Sequence, residues 1–283
     1  MIILNVIKQI VSLKRKIKFY YINTYMPTIL LEIKNSIAFI TLNRPEKYNA
    51  FNREMAFLFQ QVLDDCENDS AVRCVHITGT GKAFCAGQDL AEITDPDGPG
   101  MGRILKEHYN PIVRKIRNLN KPVMAAVNGV AAGAGANIAL CCDIVVAIKT
   151  ASFIQAFSRI GLIPDNGGTF FLPRLIGAQK ASAFMMLGDK ISAEEAERTG
   201  MIYKVFPEKI FTKEAEAIAF TLAELPTKGI AYTKRALNNS MENTLEEQLQ
   251  LEDELQQKAA LTKDFKEGVA AFLEKRQAKF TGE

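Results

Sequence analysis

The sequence has no tryptophan, two histidines and five cysteines in 283 residues. The cysteines are odd in number and show no CxxC or other metal-ligand spacing, which favours reduced thiols in a cytoplasmic protein over a disulfide framework. One histidine, His76, lies in an apolar alternation typical of a structural strand position. A metal site and a Ser-His-Asp triad are therefore both disfavoured.

Long apolar runs and an excess of basic residues are also missing. No stretch of 18 apolar residues occurs, so we expect no membrane span. The formal charge of +3 arises locally, because residues 1–25 contain five Lys or Arg and no acid. The remaining chain has 30 basic and 32 acidic residues and carries −2. This balance gives no support for a nucleic-acid partner.

The first 25 residues differ from the rest of the chain. They lack the order of charge, apolar run and small residues that a secretory signal has, and Arg and Ser are too scarce for a typical mitochondrial transit peptide. A domain-like pattern begins at Met26. We predict that 1–25 is a basic extension outside the fold, that 26–220 forms the core, and that 221–283 forms a helical region.

From Met26 onward, the residue pattern predicts an α/β fold. Two β-rich runs at 29–33 and 37–42, joined by Asn35-Ser36, indicate a hairpin, and Asn52 can cap the helix that follows. Further strands near 72–78, 122–127 and 143–147 alternate with helices, which favours a sheet with crossover connections. Four helices are predicted after residue 208, at about 209–224, 227–239, 244–261 and 263–276.

Two small-residue segments could carry chemistry. Residues 81–90 follow a predicted strand, and residues 126–137 place Gly133 and Ala134 at the start of a helix. Small side chains let a ligand approach the backbone, and free N–H groups at a helix N-terminus favour a developing negative charge. Taken alone, each segment is weak evidence, because a Gly/Ala cluster more often serves tight helix packing than a catalytic site.

Together the two segments resemble a known pair of signatures. AFCAGQDL and NGVAAGAGANIAL, about 45 residues apart, are similar to the oxyanion-hole motifs of the crotonase (enoyl-CoA hydratase/isomerase) superfamily, and the likeness extends over 26–283. The resemblance implies a crotonase-like ββα spiral core with a C-terminal helical region that makes trimers. It also implies a homotrimer or a homohexamer.

The resemblance further implies which residues form the site. The backbone N–H groups of Gln88 and Ala134 would hold the thioester carbonyl of an acyl-CoA, in which coenzyme A is part of the substrate and no separate cofactor is needed. The other expected substrate or coenzyme A contacts are Ala86, Gly87, Asp89, Leu90, Gly133, Asn137 and Phe157.

The proton-transfer groups separate the possible reactions. Hydratases of the family hold water with two glutamates, and the matching positions here are Asn137 and Phe157, so hydration is disfavoured. Asp165 matches the carboxylate of one isomerase branch, which predicts an isomerase with Asp165 as base. Asp165 also stands in a Pro-Asp-Asn-Gly turn and could cap the next helix. A hydratase with relocated acids and a catalytically silent binding protein are the alternatives.

Overall fold

A computed structural model describes residues 26–283, and the predicted extension 1–25 lies outside this range. Ten strands in the described range form two sheets. Their bounds are β1 Ile29–Lys34, β2 Ile37–Leu42, β3 Cys74–Gly79, β4 Ala83–Cys85, β5 Val123–Val127, β6 Val130–Ala132, β7 Ile144–Ile148, β8 Ser152–Ile154, β9 Lys190–Ser192 and β10 Lys204–Phe206.

The larger sheet has the order β1-β2-β3-β5-β7-β10. β1 and β2 pair antiparallel through the predicted hairpin, and Asn35 and Ser36 both have positive φ, as a tight hairpin turn requires. The other pairs are parallel. All five residues of β5 are buried, which is usual for a central strand covered on both faces. The predicted α/β class with crossover connections is confirmed.

The smaller sheet has the order β4-β6-β8-β9 and was not predicted from the sequence. Each of its strands is only three residues long, too short for an alternating pattern. β4, β6 and β8 run parallel, so their carboxyl ends lie at one edge. The residues that follow these ends include Gln88, Ala134 and Phe157. This sheet therefore brings the predicted site segments together.

The helices surround both sheets. Their bounds are α1 Arg53–Asn68, α2 Leu90–Thr94, α3 Gly100–Arg103, α4 Asn110–Asn118, α5 Ala134–Leu140, α6 Gly168–Ile176, α7 Ala178–Leu187, α8 Ala193–Arg198, α9 Phe211–Glu224, α10 Thr227–Asn239, α11 Leu245–Ala260 and α12 Lys263–Glu274. A π-helical turn, Ile104–Tyr109, joins α3 to α4, and Pro45–Lys47 and Ala156–Ile160 are 3₁₀-helices. Asn52 caps α1 as predicted, since its side chain accepts a hydrogen bond from Met55 N at 3.0 Å.

The last four helices agree with the predicted ranges to within two residues. α9 buries Ala215, Ala219 and Ala223 in the main core, so the proposed boundary at residue 220 falls inside a core helix. Within 26–283, none of the helices is long and apolar enough to cross a membrane.

A buried lysine attaches α10 to the parallel sheet. The Nζ of Lys234 lies 2.8 Å from the carboxylate of Asp143 and donates to the main-chain oxygen of Ile116 at 2.7 Å. Arg117 reaches the other carboxylate oxygen of Asp143 at 3.1 Å. Lys234 is only 6% exposed, so its charge depends on these partners for compensation.

Candidate active site

The loops after β4 and β6 touch each other through backbone atoms. Gly87 has φ of 98°, and a Cβ on it would lie 2.9 Å from the oxygen of Ala132 and 3.4 Å from the nitrogen of Ala134. A Cβ on Gly135 would lie 2.3 Å from the oxygen of Cys85. Only glycine permits both approaches, so these glycines place the two predicted site loops in contact.

Each loop presents a main-chain N–H group without a partner. Phe51 N–H donates to Gly87 O at 2.7 Å and Asp89 N–H donates to Phe51 O at 2.8 Å, which pins the peptides on both sides of Gln88. The N–H groups of Gln88 and Ala134 donate to no other group of the described chain. Ala134 is also the first residue of α5, where the helix dipole is positive. This pair of donors is suited to an oxyanion.

The side chain of Gln88 is fixed by hydrogen bonds at both ends of its amide. Tyr109 donates its hydroxyl proton to Gln88 Oε1 at 2.7 Å, and Gln88 Nε2 donates to Glu92 Oε2 at 2.7 Å. Tyr109 closes the π-helical turn, and burial raises its pKa well above the usual value, so it stays protonated. Neither Tyr109 nor Glu92 is predicted from the sequence to belong to the site. No local pattern marks this contact, because Tyr109 and Gln88 are 21 residues apart.

Asp89 is paired with a cation and caps a helix. Its carboxylate lies 2.8 Å from Arg44 and accepts a hydrogen bond from Ala91 N at 3.1 Å, which caps α2. Burial alone would raise the pKa of Asp89, but the bonds from Arg44 and Ala91 lower it below the ordinary value. Asp89 therefore stays ionised. Its neighbours Ala86 and Leu90 are both exposed.

Asp165 is a carboxylate in a different environment. Its main-chain oxygen accepts from Gly168 N–H at 2.8 Å, but its side chain makes no capping bond with α6. Oδ1 is buried and has no hydrogen-bond partner among the described residues. Burial raises the pKa of Asp165 to about 6. The carboxylate therefore does not cap the helix, and its pKa lies close to neutrality.

The two positions expected to hold glutamates in a hydratase have other uses. Asn137 has no exposed surface, and its Nδ2 donates to the main-chain oxygen of Asp165 at 2.9 Å. Phe157 is also buried, and its ring carbon lies 3.6 Å from the place where a Cβ on Gly133 would stand. Asn137 is thus an amide hydrogen-bonded inside the fold, and Phe157 is an apolar wall beside Gly133.

Other titratable groups do not add a second centre. Among residues 26–283, no three or more His, Cys, Asp or Glu side chains come close enough together to hold a metal ion. Burial lowers the pKa of His76 to about 4, so this histidine is neutral at physiological pH. All five cysteines are buried and free. Asp165 is the group whose burial and pKa fit proton transfer near neutrality.

Comparison with known proteins gives a consistent picture. The sequence model of the enoyl-CoA hydratase/isomerase family matches residues 32–283. The chain is 46% identical over 260 residues to the 1,2-epoxyphenylacetyl-CoA isomerase of Escherichia coli K12, covering 91% of this chain and 99% of that protein. It is 44% identical over 255 residues to a protein of Rhodobacter capsulatus named as a probable enoyl-CoA hydratase, covering 90% of this chain and 98% of that protein.

Solved structures agree with the sequence relatives. The crystal structure of an enoyl-CoA hydratase from Bacillus anthracis superimposes with a TM-score of 0.85 at 32% identity. The match covers 90% of this chain and all of that chain. The arrangement of two sheets and a helical C-terminal region is therefore that of known crotonase-fold structures.

Proposed function

Because the chain belongs to the enoyl-CoA hydratase/isomerase (crotonase) family, we propose that it is an acyl-CoA isomerase in which Asp165 moves the proton. The free N–H groups of Gln88 and Ala134 would bind the thioester carbonyl oxygen. Each such donor is worth ~3 kcal/mol in a transition state that places charge on that oxygen. Both N–H groups belong to the backbone, and their positions depend on the close approach of Gly87 to Ala134.

The proposed reaction moves a double bond without adding or losing atoms. The Asp165 carboxylate removes a proton from C2 of a 3-enoyl-CoA, and the electron pair forms an enolate whose charge rests on the bound oxygen. Asp165 then returns the proton to C4, which leaves the double bond between C2 and C3. A single carboxylate suffices because it acts first as base and then as acid.

One observation carries this proposal: the Asp165 carboxylate is half-buried, its Oδ1 is buried with no partner among the described residues, and its pKa is about 6. A base whose pKa lies near the working pH is largely ionised at pH 7 and still holds a proton well enough to deliver it. Asp89, the other acid of these loops, is paired with Arg44. Its lowered pKa makes it a poor proton acceptor.

The name of the Rhodobacter relative raises hydration as the second candidate. Hydration requires groups that activate a water molecule and protonate the product. The amide of Asn137 instead bonds to the main chain at Asp165, and Phe157 has no titratable group. We therefore favour isomerisation over water addition. A catalytically silent binding protein is the third candidate. Turnover of an acyl-CoA thioester would exclude it, and a lack of turnover would support it.

For the acyl group we propose 1,2-epoxyphenylacetyl-CoA, with 3-enoyl-CoA thioesters as further substrates. The support is the 46% identity with the Escherichia coli isomerase over nearly the whole of both chains. Enolate formation at the carbon next to the thioester is common to both reactions. Turnover of both thioesters, compared as kcat/KM, tests the assignment, and a strong preference for the unstrained 3-enoyl substrate would contradict it.

The main test is an assay of purified protein with 3-hexenoyl-CoA and with crotonyl-CoA. Formation of the conjugated 2-enoyl thioester is expected from the first, and no hydration of the second. Asp165→Asn should lower isomerisation about 10²–10⁴-fold. Asp253→Asn, an exposed acid on α11, is the matched control and should keep full activity. Retained isomerisation in Asp165→Asn would remove the base assignment, and hydration by the wild type would favour the second candidate.

We also propose that the protein is a cytoplasmic homotrimer or homohexamer. The apolar side chains that α11, α12 and the segments beside them leave exposed support an interface between copies, since patches of this kind mark contact surfaces. These side chains are Leu245, Leu249, Leu261, Phe265, Phe272 and Leu273. The five free thiols support a reducing compartment. Light scattering that gives a monomer would contradict the assembly.

A further inference from the structure

Two side-chain amides connect the turn that carries Asp165 with the helix that carries Ala134. Asn137, on α5, donates from Nδ2 to the main-chain oxygen of Asp165 at 2.9 Å. Asn166, in the turn, donates from Nδ2 to the main-chain oxygen of Ala134 at 3.2 Å. The two bonds run in opposite directions between the same segments. A shift of the turn away from α5 would therefore break both.

A third amide sets the orientation of Asn137. Gln155 donates from Nε2 to Asn137 Oδ1 at 2.8 Å, which directs the amide nitrogen of Asn137 toward Asp165. Asn137 and Gln155 have no exposed surface, and Asn166 is 2% exposed. We name Asn137, Gln155 and Asn166 the amide cluster.

The amide cluster is confined by packing as well as by hydrogen bonds. A Cβ on Gly168, the first residue of α6, would lie 2.4 Å from Asn137 Nδ2. The amide of Asn137 therefore has no room to move toward α6. Gln155 Oε1 and Asn166 Oδ1 are buried with no partner among the described residues, and leaving buried polar atoms of this kind unpartnered destabilises the fold. Apolar side chains in these positions would leave no buried oxygen without a partner, so stability does not explain the amides.

We propose that Asn137, oriented by Gln155, is a positioning residue that holds the Asp165 turn at a fixed place relative to the Ala134 N–H group. The carboxylate and the oxyanion donor must act on the same substrate, one at a carbon and one at the thioester oxygen. A displacement of about 1 Å in such a pair can lower the rate about 100-fold. The inference rests on the proposed function, because it assumes that Asp165 is the base.

The surroundings of Asp165 provide a readout that a purely structural role would not change. The amide cluster carries no charge. The charge of Asp165 contributes to the raised pKa of Tyr109, on the π-helical turn. This high pKa keeps Tyr109 neutral. Burial therefore accounts for the raised pKa of Asp165. Loosening the turn admits water and lowers this pKa, so the acid limb of kcat/KM should move to lower pH.

The test compares three variants with the wild type on 3-hexenoyl-CoA. Asn137→Ala should lower kcat about 10–100-fold with KM within about twofold, and the acid limb should move down from pH 6 by about half a pH unit or more. Gln155→Met removes the orienting donor with nearly the same volume and should act in the same direction by about 3–10-fold. If Asn137→Ala does not fold, Gln155→Met decides the question.

Asn49→Ala is the matched control. Asn49 also has no exposed surface, and its Nδ2 donates to the main-chain oxygens of Thr80 and Ala83, at the start of β4, rather than to the Asp165 turn. This control should lower the melting temperature and leave the acid limb in place. The inference is overturned if Gln155→Met and Asn137→Ala keep the wild-type kcat and acid limb, or if they change only the melting temperature, as Asn49→Ala does.

The same experiment separates this inference from the proposed function. An active Asp165→Asn variant would overturn the base assignment and the positioning role with it. An inactive Asp165→Asn together with unaffected amide-cluster variants would overturn only the positioning role. Loss of kcat with a displaced acid limb in both amide variants supports it.

Discussion

Replacing Asp165 by asparagine should stabilise the protein while it removes activity. In the folded protein this carboxylate is half-buried, its Oδ1 is buried with no partner among residues 26–283, and its pKa is raised from 3.8 to about 6. Ionising it in the folded state at pH 7 therefore costs about 3 kcal/mol more than in the unfolded chain, at about 1.4 kcal/mol for each pH unit. Asparagine has nearly the same shape and carries no charge, so it avoids this cost.

The sign of the pH dependence follows from the direction of the shift. A raised pKa means that the folded state binds the proton more tightly than the unfolded state does. The wild type keeps its full stability at this site below pH 3.8 and loses it as the pH rises through about 6. The stability gain of Asp165→Asn should therefore be complete at pH 7–8 and vanish near pH 4.

Thermal unfolding followed by circular dichroism measures the effect. A gain approaching 3 kcal/mol corresponds to a rise of about 5–10 °C in the melting temperature for a chain of this size. The exposed substitution Asp253→Asn should leave the melting temperature unchanged at both pH values. A melting temperature for Asp165→Asn that equals or falls below the wild-type value at pH 7.5 would refute the claim that the folded protein disfavours the charged form of this carboxylate.

Three further changes test the packing and electrostatics of the fold. Gly135→Ala places a Cβ 2.3 Å from a main-chain oxygen of β4 and should lower the free energy of unfolding by at least about 2 kcal/mol, whereas Gly102→Ala, with open space around it, should not. Lys234→Met removes the buried partner of Asp143 and should cost about 3 kcal/mol in urea unfolding, and a cost below 1 kcal/mol would contradict the buried ion pair. His76 has a lowered pKa of about 4, so the wild type should lose about 3 kcal/mol at this site as the pH falls from 6.5 to 4. His76→Phe should abolish that loss, and an unchanged acid unfolding curve would show that the site is already hydrated.

Local sequence signals predicted much of the larger sheet and most of the helices. The Asn35-Ser36 turn, the Asn52 cap and the four C-terminal helices depend on residues close together in the chain, so turn chemistry and helical periodicity reveal them. The small sheet was missed because strands of three residues form only when non-local neighbours supply the hydrogen bonds. The π-helical turn 104–109 was not predicted either, because its residue pattern does not distinguish it from an ordinary α-helical turn.

The candidate site was also predictable from the sequence only in part. The glycines that let the two loops approach stand out in the sequence, because a Gly/Ala cluster after a strand predicts close backbone contact. The environment of Asp165 does not stand out, since Pro-Asp-Asn-Gly suits a helix cap as well as a base. Its side chain makes no capping bond with α6, its Oδ1 is buried, and its main chain is bonded to Asn137, which is distant in the sequence.

The sequence by itself determined the family, the α/β class and the two segments that supply backbone N–H groups, because these depend on residue types in local order. Only the tertiary structure decided what the side chains between those segments do. Asn137 donates to the main chain at Asp165, Gln88 is held by Tyr109, and the ionised Asp89 is paired with Arg44. Each of these contacts joins residues more than 20 positions apart. Burial and hydrogen bonding by such distant partners set the pKa of each acid, and no local pattern contains that information.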